Sequence, residues 1–154
     1  MASIKVVKEY ERAVIFRLGR LLGEKGPGIF FIIPIWYEVK IVDMRTVSLD
    51  ILPQKVYTKD EKIVRLNVVI NYKITYPGKA LTQVENYDQA ISNASISVLK
   101  DAATRAELSD FFKMEFREGV KEIINKKTSS FGIEVSEVEI KDVEKPDAWG
   151  AFKD

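Results

Sequence analysis

The clearest pattern along the chain is an alternation of apolar and polar residues in its first half. The alternation is strongest over residues 63–76, where every even-numbered position is apolar and Arg65, Asn67 and Lys73 occupy the other phase. A period of two is typical of a strand with one buried face and leaves little room for a helix. Shorter alternations predict strands over residues 13–18, with Leu18 on the apolar face, and over residues 39–51. Residues 57–62 are expected to form a turn, and Pro77-Gly78 to end the main strand.

The second half follows a helical period. Residues 87–106 carry apolar side chains three and four positions apart, which predicts a helix with one buried stripe. Thr104 and Glu107 are spaced as a capping box, so a second helix is expected to begin there and to run to Gly132. A last strand is predicted over residues 132–143. Its apolar phase slips near Ser136, which a bulge would explain.

This order of elements predicts an α+β domain. Strands come first, then two helices, then one returning strand, an arrangement typical of helices packed on one face of a mainly antiparallel, curved sheet. The 154 residues are long enough for one domain with a sizeable core, and residues 1–154 are interpreted as a single domain. Both ends resemble cut ends of a longer chain, and no stretch approaches the length of a membrane-spanning helix, so this fragment is expected to be soluble.

Composition narrows the chemistry. The chain has no Cys, which excludes disulfides and thiolate chemistry, and no His, which removes the usual general base and the commonest transition-metal ligand. The 24 basic and 23 acidic residues are scattered, whereas a nucleic-acid protein normally shows a basic patch. Carboxylates such as Asp60 and Asp142 show no catalytic spacing, and no phosphate-binding glycine loop precedes a helix. We therefore expect no enzyme, no cofactor, no metal and no nucleic-acid partner.

The run IFFIIPIWY, residues 29–37, is too apolar for an ordinary loop and too short to cross a bilayer. One interpretation is a buried strand or an apolar turn over the end of the sheet, limited by Pro34, which cannot donate a ladder hydrogen bond. The other is a surface that rests on a bilayer, because aromatic side chains suit the membrane–water boundary. The residues of this candidate membrane-proximal surface are Ile29, Phe30, Phe31, Ile32, Ile33 and Trp36.

A second apolar cluster lies in DFFKMEF, residues 110–116. On one helix, the adjacent residues Phe111 and Phe112 would point about 100° apart. Together with Met114 and Phe116 they cover more than one core stripe. Either this helix is buried on two sides, or the four residues form an oligomer or partner surface.

Asp43 and Arg45 interrupt the apolar phase of residues 39–51. Two residues apart on a strand, their side chains project to the same side. A structural ion pair is expected, because buried charges are normally paired, either between the two residues or with a neighbouring strand.

Several motifs, in this order and spacing, resemble one known family. They are YERAVIFRLGR, GPGIFFIIP, IVDMRT, TKD, NYKI, KALTQVENY and FGIEVSEVEIKDV. Together they resemble the SPFH family, also called the band 7 or stomatin/prohibitin domain, and are most similar to prokaryotic members of its stomatin branch. The resemblance covers residues 4–146. It departs from the family pattern at 111–116, where stomatins are richer in Glu and Arg, and at Glu61-Lys62, where Gly or Asn is common.

The resemblance implies a function that composition does not show. Stomatin-like proteins carry an N-terminal membrane anchor and a C-terminal coiled coil, which would make this chain an excised core domain of a membrane-associated, prokaryotic protein. The family forms homo-oligomers that organise lipid microdomains and membrane proteins, and its prokaryotic members are associated with a small membrane partner and a membrane serine protease. The expected function is a non-enzymatic scaffold that associates with itself and with a membrane surface. The alternative is a soluble adaptor that binds a protease or channel tail.

Overall fold

The computed structural model describes residues 3–144. The end of the resemblance at Pro146 and the terminal stretch WGAFKD therefore lie outside the described residues. The strands, in chain order, are β1 (Ser3–Val7), β2 (Glu11–Arg17), β3 (Arg20–Lys25), β4 (Gly28–Ile32), β5 (Tyr37–Asp43), β6 (Val47–Tyr57), β7 (Ile63–Ile74) and β8 (Ile133–Glu144). The helices are α1 (Pro77–Thr82), α2 (Tyr87–Thr104) and α3 (Met114–Thr128), with 3₁₀ turns at Leu108–Asp110 and Ser129–Phe131.

The antiparallel α+β prediction is confirmed. Every strand pair of the described residues is antiparallel, and the strands form three sheets: the ribbon β1–β4, the sheet β3–β2–β5 and the sheet β6–β7–β8. The strand predicted over residues 39–51 is two strands in different sheets, so that prediction is wrong. Asp43 accepts a hydrogen bond from the Arg45 backbone N–H at 2.9 Å, and the Met44 N–H bonds Tyr10 O. The bond between Asp43 and Arg45 is a local side-chain bond of the kind that competes with the ladder and ends a strand.

The main core lies between β6–β7–β8 and the helices. The even-numbered apolar residues of β7 from Val64 to Ile74 are all buried, as the alternation predicts. Strand β8 flanks β7 and carries the predicted bulge, since Val135 pairs with Tyr72 while Glu137 pairs with Asn71, leaving Ser136 without a directly opposite residue. The helices cover this sheet with fully buried side chains that include Ile91, Leu99, Val120 and Ile124.

Helix α2 is held at its N-terminus by a cap and by a hydrogen bond to the sheet. The Asn86 side chain caps it by accepting a hydrogen bond from the Gln89 N–H at 3.1 Å. One residue into the helix, the Asp88 carboxylate accepts a hydrogen bond from the hydroxyl of Tyr72 on β7. Burial and this carboxylate raise the pKa of Tyr72 above its ordinary value, because both disfavour the phenolate. Tyr72 therefore serves as a neutral donor that ties α2 to the sheet.

The predicted start of the second helix is wrong. Thr104 is the last residue of α2, and its hydroxyl donates to Asp101 O at 2.7 Å. The reciprocal capping bonds join Glu107 and Asp110 instead, and they cap a single 3₁₀ turn. Helix α3 begins only at Met114 and ends before Gly132, which has a φ of 75° and closes the segment as predicted. The predicted start is wrong because a second pair with the spacing of a capping box, Glu107 and Asp110, follows three residues later, and that pair forms the bonds.

Strand β2 differs from its predicted pattern. Ala13, Val14 and Ile15 are all buried, so both faces of this strand are covered. Val14 belongs to the main core, whereas Ile15 lies beside the ribbon β1–β4. Leu18, predicted to lie on the apolar face, is instead in a turn with a φ of 51° and is exposed. A strand between two layers has both faces covered, so an alternation of apolar and polar residues does not predict which of its side chains are buried.

Candidate functional site: apolar surfaces of the ribbon and the turns

The ribbon β1–β4 presents an apolar outer face. Ile4 lies directly opposite Phe31, and Val6 directly opposite Ile29. Directly opposite residues of an antiparallel pair project to the same side. The exposed fractions of these side chains are 64% for Ile4, 64% for Val6, 69% for Ile29 and 68% for Phe31. We call these four residues the outer ribbon face.

The strand pleat divides the six residues predicted to form a membrane-proximal surface. Ile29 and Phe31 belong to the outer ribbon face, and Ile33 and Trp36 are also exposed. Phe30 is half-buried and Ile32 is buried, because alternate residues of β4 point inward toward the sheet β3–β2–β5. The prediction is therefore wrong for Phe30 and Ile32 as exposed residues.

The chain turns after β4 and adds further apolar surface. The N–H groups of Trp36 and Tyr37 both donate to Ile33 O, at 3.2 and 3.0 Å, and close the turn around Pro34. The Trp36 carbonyl accepts from the Leu18 N–H at 2.9 Å, which brings the neighbouring turn alongside. The exposed apolar side chains of the two turns are Leu18, Ile33, Ile35 and Trp36.

Between the ribbon and the sheet β3–β2–β5 lies an apolar groove. Its volume is about 500 Å³. The side chains that line it are apolar except for Lys25 and Tyr37, and the described lining consists of Ile15, Leu22, Lys25, Phe30, Phe31, Ile32, Ile33 and Tyr37. The Lys25 ammonium lies 5.9 Å from the centroid of the Phe30 ring, within the range of a cation–π contact. We call this feature the ribbon groove.

Asp43 and Arg45 contact each other at the crossing between β5 and β6. Arg45 Nη2 lies 2.7 Å from Asp43 Oδ2, and Arg45 Nε donates to Asp43 Oδ1 at 3.1 Å, so the pair is bidentate. The guanidinium also stacks 3.9 Å from the centroid of the Tyr10 ring. The side-chain bonds from Arg45, followed by its backbone N–H, lower the pKa of Asp43. Both side chains are exposed rather than buried, so the pair organises a surface crossing.

The four residues around the start of α3 do not share one surface. Phe111 is fully buried and packs on Phe116, with the ring centroids 5.0 Å apart, so its assignment to a partner surface is wrong. Phe116 is half-buried against the core. Phe112 and Met114 are exposed. Because residues 111–113 precede the helix, the expected angle of 100° between Phe111 and Phe112 does not apply.

Sequence reasoning missed Ile4 and Val6, which supply half of the outer ribbon face. The stretch SIKVV alternates in the required way, so a short strand could have been found there. Its pairing with β4 connects residues far apart in sequence, and this was the missing information. No described helix has the length and apolarity to span a bilayer.

Comparisons with known proteins assign the chain to a family. The model of the SPFH domain / Band 7 family matches residues 5–149. A stomatin homolog of Pyrococcus horikoshii is 47% identical over 147 residues, which cover 94% of this chain and 55% of that protein. Mouse stomatin is 41% identical over 93% of this chain and 52% of its own length. An uncharacterized protein of Archaeoglobus fulgidus is 44% identical over 96% of this chain and 60% of its own length.

The chain thus spans little more than half the length of these curated relatives. The family match covers the described residues except Ser3 and Ile4, and with them most of the ribbon and the helices α1, α2 and α3, which we call the helical body. The chain belongs to the SPFH/band 7 family and is similar to archaeal and animal stomatins.

Proposed function

We propose that this chain is the core of a membrane-associated scaffold protein that contacts the bilayer through the outer ribbon face. The observation that carries the proposal is the register of β1 and β4, which places Ile4 beside Phe31 and Val6 beside Ile29 on one exposed side. Large apolar patches of this kind mark interaction sites. Trp36, exposed in the adjoining turn, suits the membrane–water boundary.

The size of the face predicts weak binding by a single copy. Full burial of one Val, Ile or Phe side chain contributes roughly 1.5–3 kcal/mol. Four side chains in partial contact with lipid therefore contribute a few kcal/mol, and about 4 kcal/mol corresponds to a millimolar dissociation constant. Homo-oligomerisation would combine many such contacts by effective concentration. A scaffold built from repeated weak contacts is thus the function that fits this surface.

The full-length protein associates with a membrane, and the archaeal relatives favour a prokaryotic one. It assembles with copies of itself and organises membrane proteins or lipid microdomains, with a membrane serine protease or a small membrane protein as its partner. Its role is non-enzymatic, and it needs no cofactor.

One observation favours the adaptor as a second candidate. Phe112 and Met114 are exposed at the start of α3, in the helical body rather than in the ribbon. Exposed large apolar side chains at a helix start could seat the apolar residues of a protease or channel tail. An adaptor would use this surface and would not need the outer ribbon face.

Flotation with phospholipid vesicles tests the proposal. We expect the chain to float with vesicles at high lipid concentration, and the double variant Ile4→Ser/Ile29→Ser, which leaves the described lining of the ribbon groove intact, to lose most of the bound fraction. The matched control is Phe112→Ser, which removes an exposed phenyl ring from the helical body. Urea denaturation of each variant establishes that the fold is intact. Equal flotation of the ribbon variant and the wild type would refute the membrane contact of the outer ribbon face. Loss of flotation in Phe112→Ser alone would place the membrane contact at the start of α3 instead.

A further inference from the structure

The ribbon groove differs from the outer ribbon face in shape and in charge. The outer face is the exposed side of the two-stranded ribbon, whereas the groove is a concavity of about 500 Å³, a volume in the range of small-molecule pockets. Its described lining comes from the ribbon strand β4 and the residue after it, and from the three strands of the sheet β3–β2–β5, and one of these residues, Ile15, is buried. The ribbon groove thus offers a second apolar environment next to the proposed bilayer contact, and Phe31 belongs to both.

The charge at the groove is positive. Lys25 is the charged residue among those that line it. The neighbouring residue on the strand, Glu24, projects to the opposite side, where its carboxylate accepts a hydrogen bond from the Gly78 N–H at 2.9 Å. Glu24 therefore does not oppose the ammonium at the groove. The apolar ribbon groove, with the exposed Lys25 ammonium at its edge, complements a hydrocarbon chain that ends in an anion.

We propose that the ribbon groove binds one hydrocarbon chain of an anionic membrane lipid, with Lys25 beside the headgroup. The proposal rests on the proposed function, because the lipid comes from the bilayer that the outer ribbon face contacts. The hydrocarbon chain contacts Leu22, Phe30 and Ile32, and the Tyr37 side chain supplies a second polar group at the lining. Binding in this groove would select anionic lipids, which the outer ribbon face cannot do because it carries no charge.

Gly23 provides a way to block the groove. It lies directly opposite Ile15 and two residues before Lys25. A side chain at position 23 would therefore project to the same side of the sheet as those two side chains. A Cβ added there would meet nothing within 4 Å, and its backbone is not in the left-handed region. A large side chain at this position would therefore enter the groove without straining the strand.

The test uses a soluble single-chain probe in the absence of vesicles. We expect dodecyl phosphate, kept below the concentration at which it forms micelles, to bind the full chain in calorimetry and to shift the amide resonances of β3 and β4. Gly23→Trp should weaken binding at least tenfold, and Lys25→Gln several-fold. Dodecyltrimethylammonium, with the same chain and the opposite charge, should bind more weakly than dodecyl phosphate.

Controls separate this inference from the proposed function. Ile4→Ser should leave probe binding unchanged, because Ile4 does not line the groove, while it weakens flotation. Leu22→Ser, a change at an exposed lining residue, should weaken probe binding and serves if Gly23→Trp fails to fold. Unchanged probe binding in Gly23→Trp and Leu22→Ser, equal binding of the two probes, or displacement of the probe by an apolar peptide would overturn the inference. If the chain binds the probe but substitutions on the outer ribbon face leave flotation unchanged, the proposed function is refuted and the inference is not.

Discussion

Glu24 on β3 and Gly78 in the first turn of α1 are joined by a hydrogen bond across 54 residues of sequence. The Gly78 N–H donates to Glu24 Oε2 at 2.9 Å, and a Cβ at position 78 would lie 2.9 Å from the same oxygen. The contact therefore requires an acceptor oxygen at position 24, and a side chain at position 78 would displace that oxygen. It connects the sheet that borders the ribbon groove to the helical body.

We predict that Glu24→Ala destabilises this connection. The Gly78 N–H would lose its acceptor, at a cost of about 1 kcal/mol in the free energy of unfolding. Hydrogen exchange should show faster exchange at Gly78 than in the wild type. Glu24→Gln, which keeps an acceptor oxygen, is the control and should exchange at nearly the wild-type rate. An unchanged Gly78 rate in Glu24→Ala would show that the bond is not formed in solution.

Glu61 has a φ of 60°, which lies in the left-handed region that residues other than Gly and Asn rarely adopt. Its N–H donates to Thr58 O at 3.0 Å, so the turn is held in this conformation. We predict that Glu61→Gly raises the free energy of unfolding by about 0.5–1 kcal/mol, since the relief of strain exceeds the entropy gained by the unfolded chain. Urea denaturation measures the change. The neighbouring Lys62→Gly has no such strain to relieve and should destabilise; a gain in both variants would contradict the explanation.

The hydroxyl of Ser95 is buried in α2 and has no hydrogen-bond partner within residues 3–144. An unsatisfied buried polar group costs about 1–3 kcal/mol, and Ala is the stronger helix former. Ser95→Ala should therefore stabilise the protein by about 1 kcal/mol in thermal or urea unfolding. Ser97→Ala, on the exposed side of the same helix, isolates the helix-propensity effect and should change stability less. Equal gains in the two variants would place the whole effect in helix propensity.

The bidentate contact with Arg45 lowers the pKa of Asp43 below its ordinary value of 3.8. A depressed pKa in the folded state stabilises the fold above the unfolded value, and this contribution is lost as the pH falls below 3.8 and through the folded value. Carboxyl NMR titration should show a midpoint for Asp43 below 3.8, moving upward in Arg45→Ala. A midpoint unaffected by Arg45→Ala would show that the pair does not persist in solution.

The elements that could be predicted are those whose environment is uniform along their length. Strand β7 lies in the middle of its sheet and meets the helices on one face, so its even-numbered residues are buried throughout. The bulge at Ser136 was predictable for the same reason, because the apolar phase of β8 follows the partner strand. The positive φ of Glu61 agrees with the resemblance, which indicated Gly or Asn at this turn.

The errors occur where a residue's environment depends on remote parts of the chain. Leu18 continues an apolar phase but lies in a turn, and Phe111 is apolar like its neighbour Phe112 but is the one that enters the core. Thr104 has the right spacing for a helix start, yet α2 continues through it. In each case the local pattern allows two placements, and long-range packing selects between them.

The order of side chains along this chain by itself determined the types of the main elements, the α+β class and the presence of an unusually apolar segment after Gly28. A strand or helix period is a local property, so it can be read from neighbouring residues. Only the tertiary structure decided that Ile4 and Val6 join Ile29 and Phe31 on one exposed face while Phe30 and Ile32 turn toward a groove. That outcome depends on the register between two paired strands, and a shift of one residue would exchange the two faces.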